Sequence, residues 1–203
     1  MSESEMDNPQ VTQTDLAWLA GIWDGEGHIS IRRTLLRGKA PQYSPRLGMT
    51  NSNVQILSKA RQILDALGVG YYFREKDDGG FPGSSKQCWV IAIETMTNAV
   101  RFIANIRPFL IGKSFQADCI LEYCERRMKA FDRSRTNASR KYTERDYELV
   151  SLVFEANGNI RGTSETIRQD AQRAMIQSDL VRDHETWSEK AMRHYPKGAA
   201  VIK

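Results

Sequence analysis

The sequence predicts an α+β domain built on an antiparallel sheet, and three observations carry that prediction. Stretches in which apolar and polar residues alternate come in adjacent pairs joined by turn-rich residues, as the strands of hairpins do. Each pair is flanked by segments whose apolar residues recur at the 3.6-residue spacing of a helix. The resulting order is helix, two strands, helix, two strands, helix, helix, which segregates helices from an antiparallel sheet instead of interleaving them with parallel strands.

Residues 1–13 read as a polar lead-in. A helix begins near Thr14 or Asp15, both good caps, carries Leu16, Leu19, Ala20 and Trp23 as its apolar residues, and stops at Gly25 and Gly27. From His28 to Thr34 the chain alternates, with Ile29 and Ile31 on one side and His28, Ser30 and Arg32 on the other. Loop residues run through Gly38–Pro41. Gln42 to Asn51 then alternates again, with Tyr43, Leu47 and Met49 on one face and Gln42, Ser44, Arg46, Gly48 and Thr50 on the other. Ile56, Leu57, Ala60, Ile63, Leu64 and Leu67 form the stripe of an amphipathic helix closed by Gly68. Tyr71–Lys76 and Lys86–Glu94 flank the turn-rich DDGGFPGSS as a second hairpin, whose alternation leaves its outward face open.

A helix around Asn98–Ile106 ends before Pro108, and another from about Ser114 to Lys129 buries Ala117, Ile120, Leu121, Cys124 and Met128. Beyond the basic stretch RRMKAFDRSRTNASRKY, Thr143 with Asp146 opens a helix with Val150, Val153 and Phe154 on its stripe. Asn157-Gly158 closes it, and Thr163 or Ser164 caps one more helix before a polar tail. The organisation is therefore a lead-in (1–13), a core (14–130), and a basic linker with a C-terminal helical extension (131–203), with no internal repeat.

Composition narrows the function classes. The 203 residues are 40% hydrophobic and 27% charged, a globular balance, with a net charge of +4 that permits nucleic acid as a partner without singling it out. Cys88, Cys119 and Cys124 are odd in number and form no C-x-x-C pair, which argues against a disulfide framework or a zinc site. No apolar run is long enough for a membrane span, so no membrane partner is expected. The opening MSESEMDNPQ is acidic and lacks arginine, unlike a secretory signal or transit peptide. The expected location is intracellular, in a bacterial cytoplasm or an organelle such as the chloroplast stroma.

Leu19 to Gly27 reads LAGIWDGEG. It resembles the nine-letter LAGLIDADG motif of homing endonucleases, with five letters identical and an acid, Glu26, at the eighth. Ala17, Gly21 and Gly25 recur every fourth residue, so one helix face stays small enough for two such helices to approach closely. Paired helix ends would bring two Glu26 carboxylates together at the negative end of two helix dipoles, where a cation is favourable. Glu26 and a last-turn carbonyl such as that of Gly25 are hard oxygen ligands, suited to magnesium and not zinc.

The similarity extends past the motif, to LDALGVGY (Leu64–Tyr71), RPFLIGK (Arg107–Lys113) and TSETIR (Thr163–Arg168). It implies an αββαββα core whose saddle-shaped sheet sits in the DNA major groove, followed by C-terminal helices. It implies catalytic roles for Glu26, as metal-binding acid, for Lys113, beside the scissile phosphate, and for Asn51, organising water, with Ser52 as its rival in register. A single motif implies a homodimer with Ala17, Ala20, Gly21, Asp24 and Gly25 at its interface, Asp24 being a helix-end polar group and not a metal ligand.

Strand alternation puts His28, Ser30, Arg32, Gln42, Ser44 and Arg46 on the outward face, where arginine and glutamine can read base edges. Arg74, Lys76 and Lys86 are further DNA-binding candidates, while Arg133, Arg135, Arg140, Lys141 and Arg161 suit phosphate contacts. The expected function is thus magnesium-dependent double-strand cleavage of a long palindromic or nearly palindromic DNA site, with no small-molecule cofactor. The resemblance further implies that manganese substitutes and that calcium binds without supporting cleavage. An RNA maturase for an intron, or a non-cleaving DNA-binding regulator of the same fold, is the alternative.

Overall fold

In a computed structural model of the chain, residues 10–35, 41–76, 87–132, 141–158 and 164–176 are described. Helix α1 (Gln13–Glu26) leads into the hairpin β1 (Gly27–Thr34) and β2 (Gln42–Asn51). Then come α2 (Val54–Ala66), β3 (Tyr72–Glu75), β4 (Trp89–Ile93), α3 (Met96–Ile106) and a single 3-10 turn (Arg107–Phe109). Three helices end the described chain: α4 (Ser114–Asp132), α5 (Glu144–Ala156) and α6 (Ser164–Ile176). The expected α+β order holds, with four antiparallel strands ordered β1-β2-β4-β3.

Local chemistry sets the ends of these elements. The cap of α1 is Thr12, ahead of the expected Thr14 or Asp15. Asp15 instead completes a reciprocal box in which its amide donates to Thr12 Oγ1 (3.1 Å) and its carboxylate accepts from the Thr12 amide (3.2 Å). Lys59 of α2 also donates to Asp15 (2.5 Å) and, with Thr12, holds its carboxyl down at about 2. Thr143 and Asp146 form the same box on α5, as their spacing predicts. Gly68, at φ +63°, takes the left-handed conformation that ends α2.

One sheet face is buried under helices. Ile29, Ile31, Tyr43, Leu47, Met49, Ile91 and Ile93 point into a core shared with Leu19, Ala20 and Trp23 of α1, Leu57 and Leu64 of α2, and Phe102 and Ile103 of α3. Trp23, fully buried, lies 4.5 Å from the Phe102 ring and donates its indole N–H to the carbonyl of His28 (3.3 Å). That bond fastens the end of α1 to the start of β1.

The C-terminal helices join the same core: Leu149, Val150 and Val153 of α5 and Ile167 and Ala171 of α6 are buried in it. Charges carried inward on α5 are paired. Arg145 donates to both oxygens of Glu122 (2.8 and 2.6 Å) and lies 2.9 Å from Glu148, and Asp146 accepts from Arg126 (3.2 Å) and Arg127 (3.3 Å). Asp170 of α6 accepts from the Arg33 guanidinium (2.7 and 2.8 Å) and the Tyr43 hydroxyl (2.6 Å), which ties α6 to the first hairpin.

Candidate active site and nucleic-acid interface

Helix α1 ends at Glu26, and the Gly27 amide donates back to the Trp23 carbonyl. Glu26 is exposed there, as are Ala17, Gly21 and Gly25. A Cβ built at Gly21 or Gly25 would meet nothing within 4 Å, so this stripe of α1 is open among the described residues. Ala20, expected at the dimer interface, is instead fully buried in the protomer's own core. With about 3.6 residues per turn, position 20 lies some 100° round the helix from position 21 and on the Trp23 side.

The carboxylate of Asp24, also expected at the dimer interface, is engaged within the chain. Oδ2 accepts from the amides of Ile111 (2.8 Å) and Gly112 (3.1 Å), and Oδ1 accepts from the amide of Lys113 (2.9 Å). The Lys113 ammonium turns back and donates to the main-chain carbonyl of Asp24. No basic residue stands in the last turn of α1 itself, so Lys113 brings a cation to the negative end of that helix.

The second sheet face is lined by exposed and half-buried side chains. Facing pairs on β1 and β2 are His28 with Gly48, Ser30 with Arg46, Arg32 with Ser44 and Thr34 with Gln42, so the six predicted outward residues share this face. The β3–β4 register extends it through Tyr72 opposite Ala92 and Arg74 opposite Val90. The Lys76 amide donates to the Cys88 carbonyl (2.8 Å), which continues the register. The face of the second hairpin, open in the sequence, is therefore the one bearing Arg74 and Lys76.

Two residues that sequence reasoning missed also stand on this face. Tyr72 is 60% exposed, two positions before Arg74. Glu94 follows the same alternation past Val90 and Ala92 and accepts from the Arg32 guanidinium (3.3 Å). The period-2 signal would have found both once the face was known.

His28, next to the end of α1, is half-buried over Gly48, where an added Cβ would lie 2.9 Å from the imidazole and 2.6 Å from the Ile91 carbonyl oxygen. Burial first, then the charges of Arg46 and Lys113, push the imidazole below its ordinary value.

Asn51 is the last residue of β2. It pairs with Trp89 and shares the parity of Leu47 and Met49, the helix-covered side. Its side-chain oxygen accepts from the Asn53 amide (2.8 Å), forming the turn into α2. Ser52, its rival, is exposed. Lys141 is half-buried and its carbonyl accepts from Arg127 (2.8 Å). Lys86, Arg133, Arg135, Arg140, Arg161 and the alternative cap Thr163 lie outside the described residues, as do residues 1–9 of the lead-in and 36–40 of the first loop.

An antiparallel four-stranded sheet with helices on one face, a side-chain-lined second face, and α1 ending in an acid defines the fold of the LAGLIDADG homing endonucleases. Residues 13–107 match the model of the LAGLIDADG-like domain. Among solved structures, the homing endonuclease I-CvuI, complexed with an I-CreI target in 2 mM Mg with its DNA not cleaved, superposes with a TM-score of 0.57 at 19% identity. That match covers 79% of this chain and 94% of the other. An archaeal intron-encoded homing endonuclease, I-Vdi141I, complexed with DNA, gives a TM-score of 0.57 at 17% identity over 80% of this chain and 98% of the other. No curated protein matches the chain.

Proposed function

We propose that the protein is a homodimeric, magnesium-dependent endonuclease that makes a double-strand break in a long, palindromic or nearly palindromic DNA site. The observation that carries this reading is the meeting of Glu26 and Lys113 at one helix end, with the Lys113 ammonium bound to the carbonyl two residues before the acid. A carboxylate and an ammonium at one negative helix terminus suit a phosphodiester, whose hydrolysis needs a cation near the leaving oxygen and an activated water.

The donor set fits a hard divalent cation. Glu26 is exposed, and the carbonyls of the last turn of α1 lie beside it. Among the described residues no three His, Cys, Asp or Glu side chains converge, so DNA phosphate and water oxygens would complete the shell. Bound magnesium, replaceable by manganese, would acidify the attacking water, whereas calcium would bind without supporting cleavage. Glu26 and the Gly25 carbonyl would hold the cation, and Lys113 would offset charge on the scissile phosphate. Calcium was present in a second I-CvuI complex with its own target, at 2 mM.

One motif supplies one of the two helices that such a pair of sites needs, and the open Ala17, Gly21 and Gly25 stripe is where a second copy would pack. The outward sheet face would lie in the major groove. Arg32, Arg46, Gln42 and Arg74 there would read base edges, while Lys76 and residues of the basic linker would contact phosphates.

The test pairs gel-shift affinity with single-turnover cleavage, using duplexes selected from a randomised palindromic library and magnesium raised beyond 2 mM. Glu26→Gln keeps the side-chain shape and removes its charge, so binding should persist while cleavage of both strands collapses. Unimpaired cleavage by Glu26→Gln refutes the assignment. Binding by wild type without cleavage at any magnesium concentration favours the non-cleaving regulator instead.

A further inference from the structure

We propose that Asp24 is a positioning residue that presents the Lys113 ammonium to the scissile phosphate, an inference that rests on the nuclease reading above. The side chains of Ile111 and Gly112 do not hold their segment. Ile111 is 88% exposed and Gly112 has no side chain, so besides the bond that the Ile111 carbonyl accepts from the Ser114 hydroxyl (3.2 Å), the anchor nearest in the chain is the preceding Leu110, buried in the core. An ammonium on four rotatable bonds, carried by such a loop, would sample many positions.

The Asp24 carboxylate removes that freedom by accepting from three consecutive amides, those of Ile111 (2.8 Å), Gly112 (3.1 Å) and Lys113 (2.9 Å). Bonds to a charged acceptor are the stronger kind. The carbonyl of Lys113 accepts from the Ala117 amide (3.0 Å), so the tether also fixes the start of α4, whose positive end faces the carboxylate. The carbonyl of Asp24 then receives the Lys113 ammonium, which leaves Lys113 held at both ends by one residue. Because Asp24 stands two positions before Glu26 in α1, the acid and the ammonium share a single rigid support. With three N–H groups on its two oxygens, the Asp24 carboxylate serves the loop and not a cation.

The test follows single-turnover cleavage of a library-selected duplex in magnesium, affinity for that duplex in calcium, and thermal unfolding, for wild type, Asp24→Asn, Lys113→Ala and the double variant. Asp24→Asn should cut more slowly, on the order of 10- to 100-fold, while affinity stays unchanged. In the Lys113→Ala background the same substitution should add almost nothing, because its effect passes through Lys113. Wild-type cleavage by Asp24→Asn overturns the proposal. So does a loss of equal size in both backgrounds, which is what a purely structural role would produce.

If Asp24→Asn does not fold, amide hydrogen exchange in the wild type decides. Slow exchange at Ile111, Gly112 and Lys113 supports the tether, and exchange as fast as in an unstructured loop overturns it. A wild type that binds the duplex but never cuts it refutes the nuclease reading itself, which separates that failure from failure of the tether.

Discussion

Arg32 illustrates how a neighbour sets the orientation of a single side chain. On the outward face it could rotate freely, but Glu94 accepts from its guanidinium at 3.3 Å. At 45% and 29% side-chain exposure the pair contributes little to stability, since solvent screens it. Its consequence is orientation. An arginine held by a carboxylate meets guanine with fewer rotamers to lose, whereas an unpaired acid on the same face repels phosphates. Arg32→Ala should therefore cost about 1–3 kcal/mol against one symmetric pair of bases and leave other positions unchanged. Glu94→Ala should raise overall affinity while reducing discrimination at that pair. Binding titrations on a panel of single-base variants of the selected duplex check both, and a uniform loss from Arg32→Ala would make Arg32 a phosphate contact.

At the scale of the element, the centre of the sheet depends on a residue with no side chain. Gly48 of β2 lies between His28 of β1 and Ala92 of β4, and a methyl group there would sit 2.6 Å from the Ile91 carbonyl oxygen. That oxygen is main chain and cannot swing aside, so the strands must separate. Gly48→Ala should destabilise the fold by about 1–3 kcal/mol, the usual cost of overpacking, and should displace the His28 ring. Denaturant unfolding measures the first effect. The second would appear as a changed His28 imidazole signal in NMR spectra. A variant as stable as wild type would show that the strands part more easily than their register implies.

Across the whole molecule, two surfaces meet at the end of α1: the stripe Ala17, Gly21, Gly25 and the outward sheet face that begins at His28. If a second copy packs on the stripe, the two sheets form one continuous surface with two-fold symmetry, matching a palindromic site. Gly21→Leu tests this cleanly. Among the described residues nothing lies within 4 Å of a Cβ at that position, so the fold should survive while the helix pair is held apart. Sedimentation should show a dimer for wild type and a monomer for Gly21→Leu at equal thermal stability. A dimeric variant with normal cleavage would place the interface elsewhere.

Much of this architecture was legible in the amino-acid order alone, because it rests on local periods. Alternation in His28–Thr34 and Gln42–Asn51 identified the strands and the face of each residue, since a pleated strand repeats every two residues whatever packs on it. The Thr143 and Asp146 spacing marked the start of α5, since a capping box closes within one turn. The end of α1 was equally readable, from its glycines and Glu26.

Tertiary structure alone decided what depends on contacts between distant segments. Ala20 and Gly21 both look like small interface residues, and only the packing of Trp23 and its neighbours turns the first inward. The face of the second hairpin was undetermined until β4 paired with β2 and set its register. Asn51 carried a polar role in sequence, and only the fold shows that its side-chain oxygen accepts from the Asn53 amide in the turn into α2. Asp24 gave no local sign of its partners, because the amides it binds lie 87 to 89 positions further on and are brought to it only when the 3-10 turn folds beside α1. Periodicity records which face of an element a residue occupies, and proximity between elements arises only when their faces are packed together.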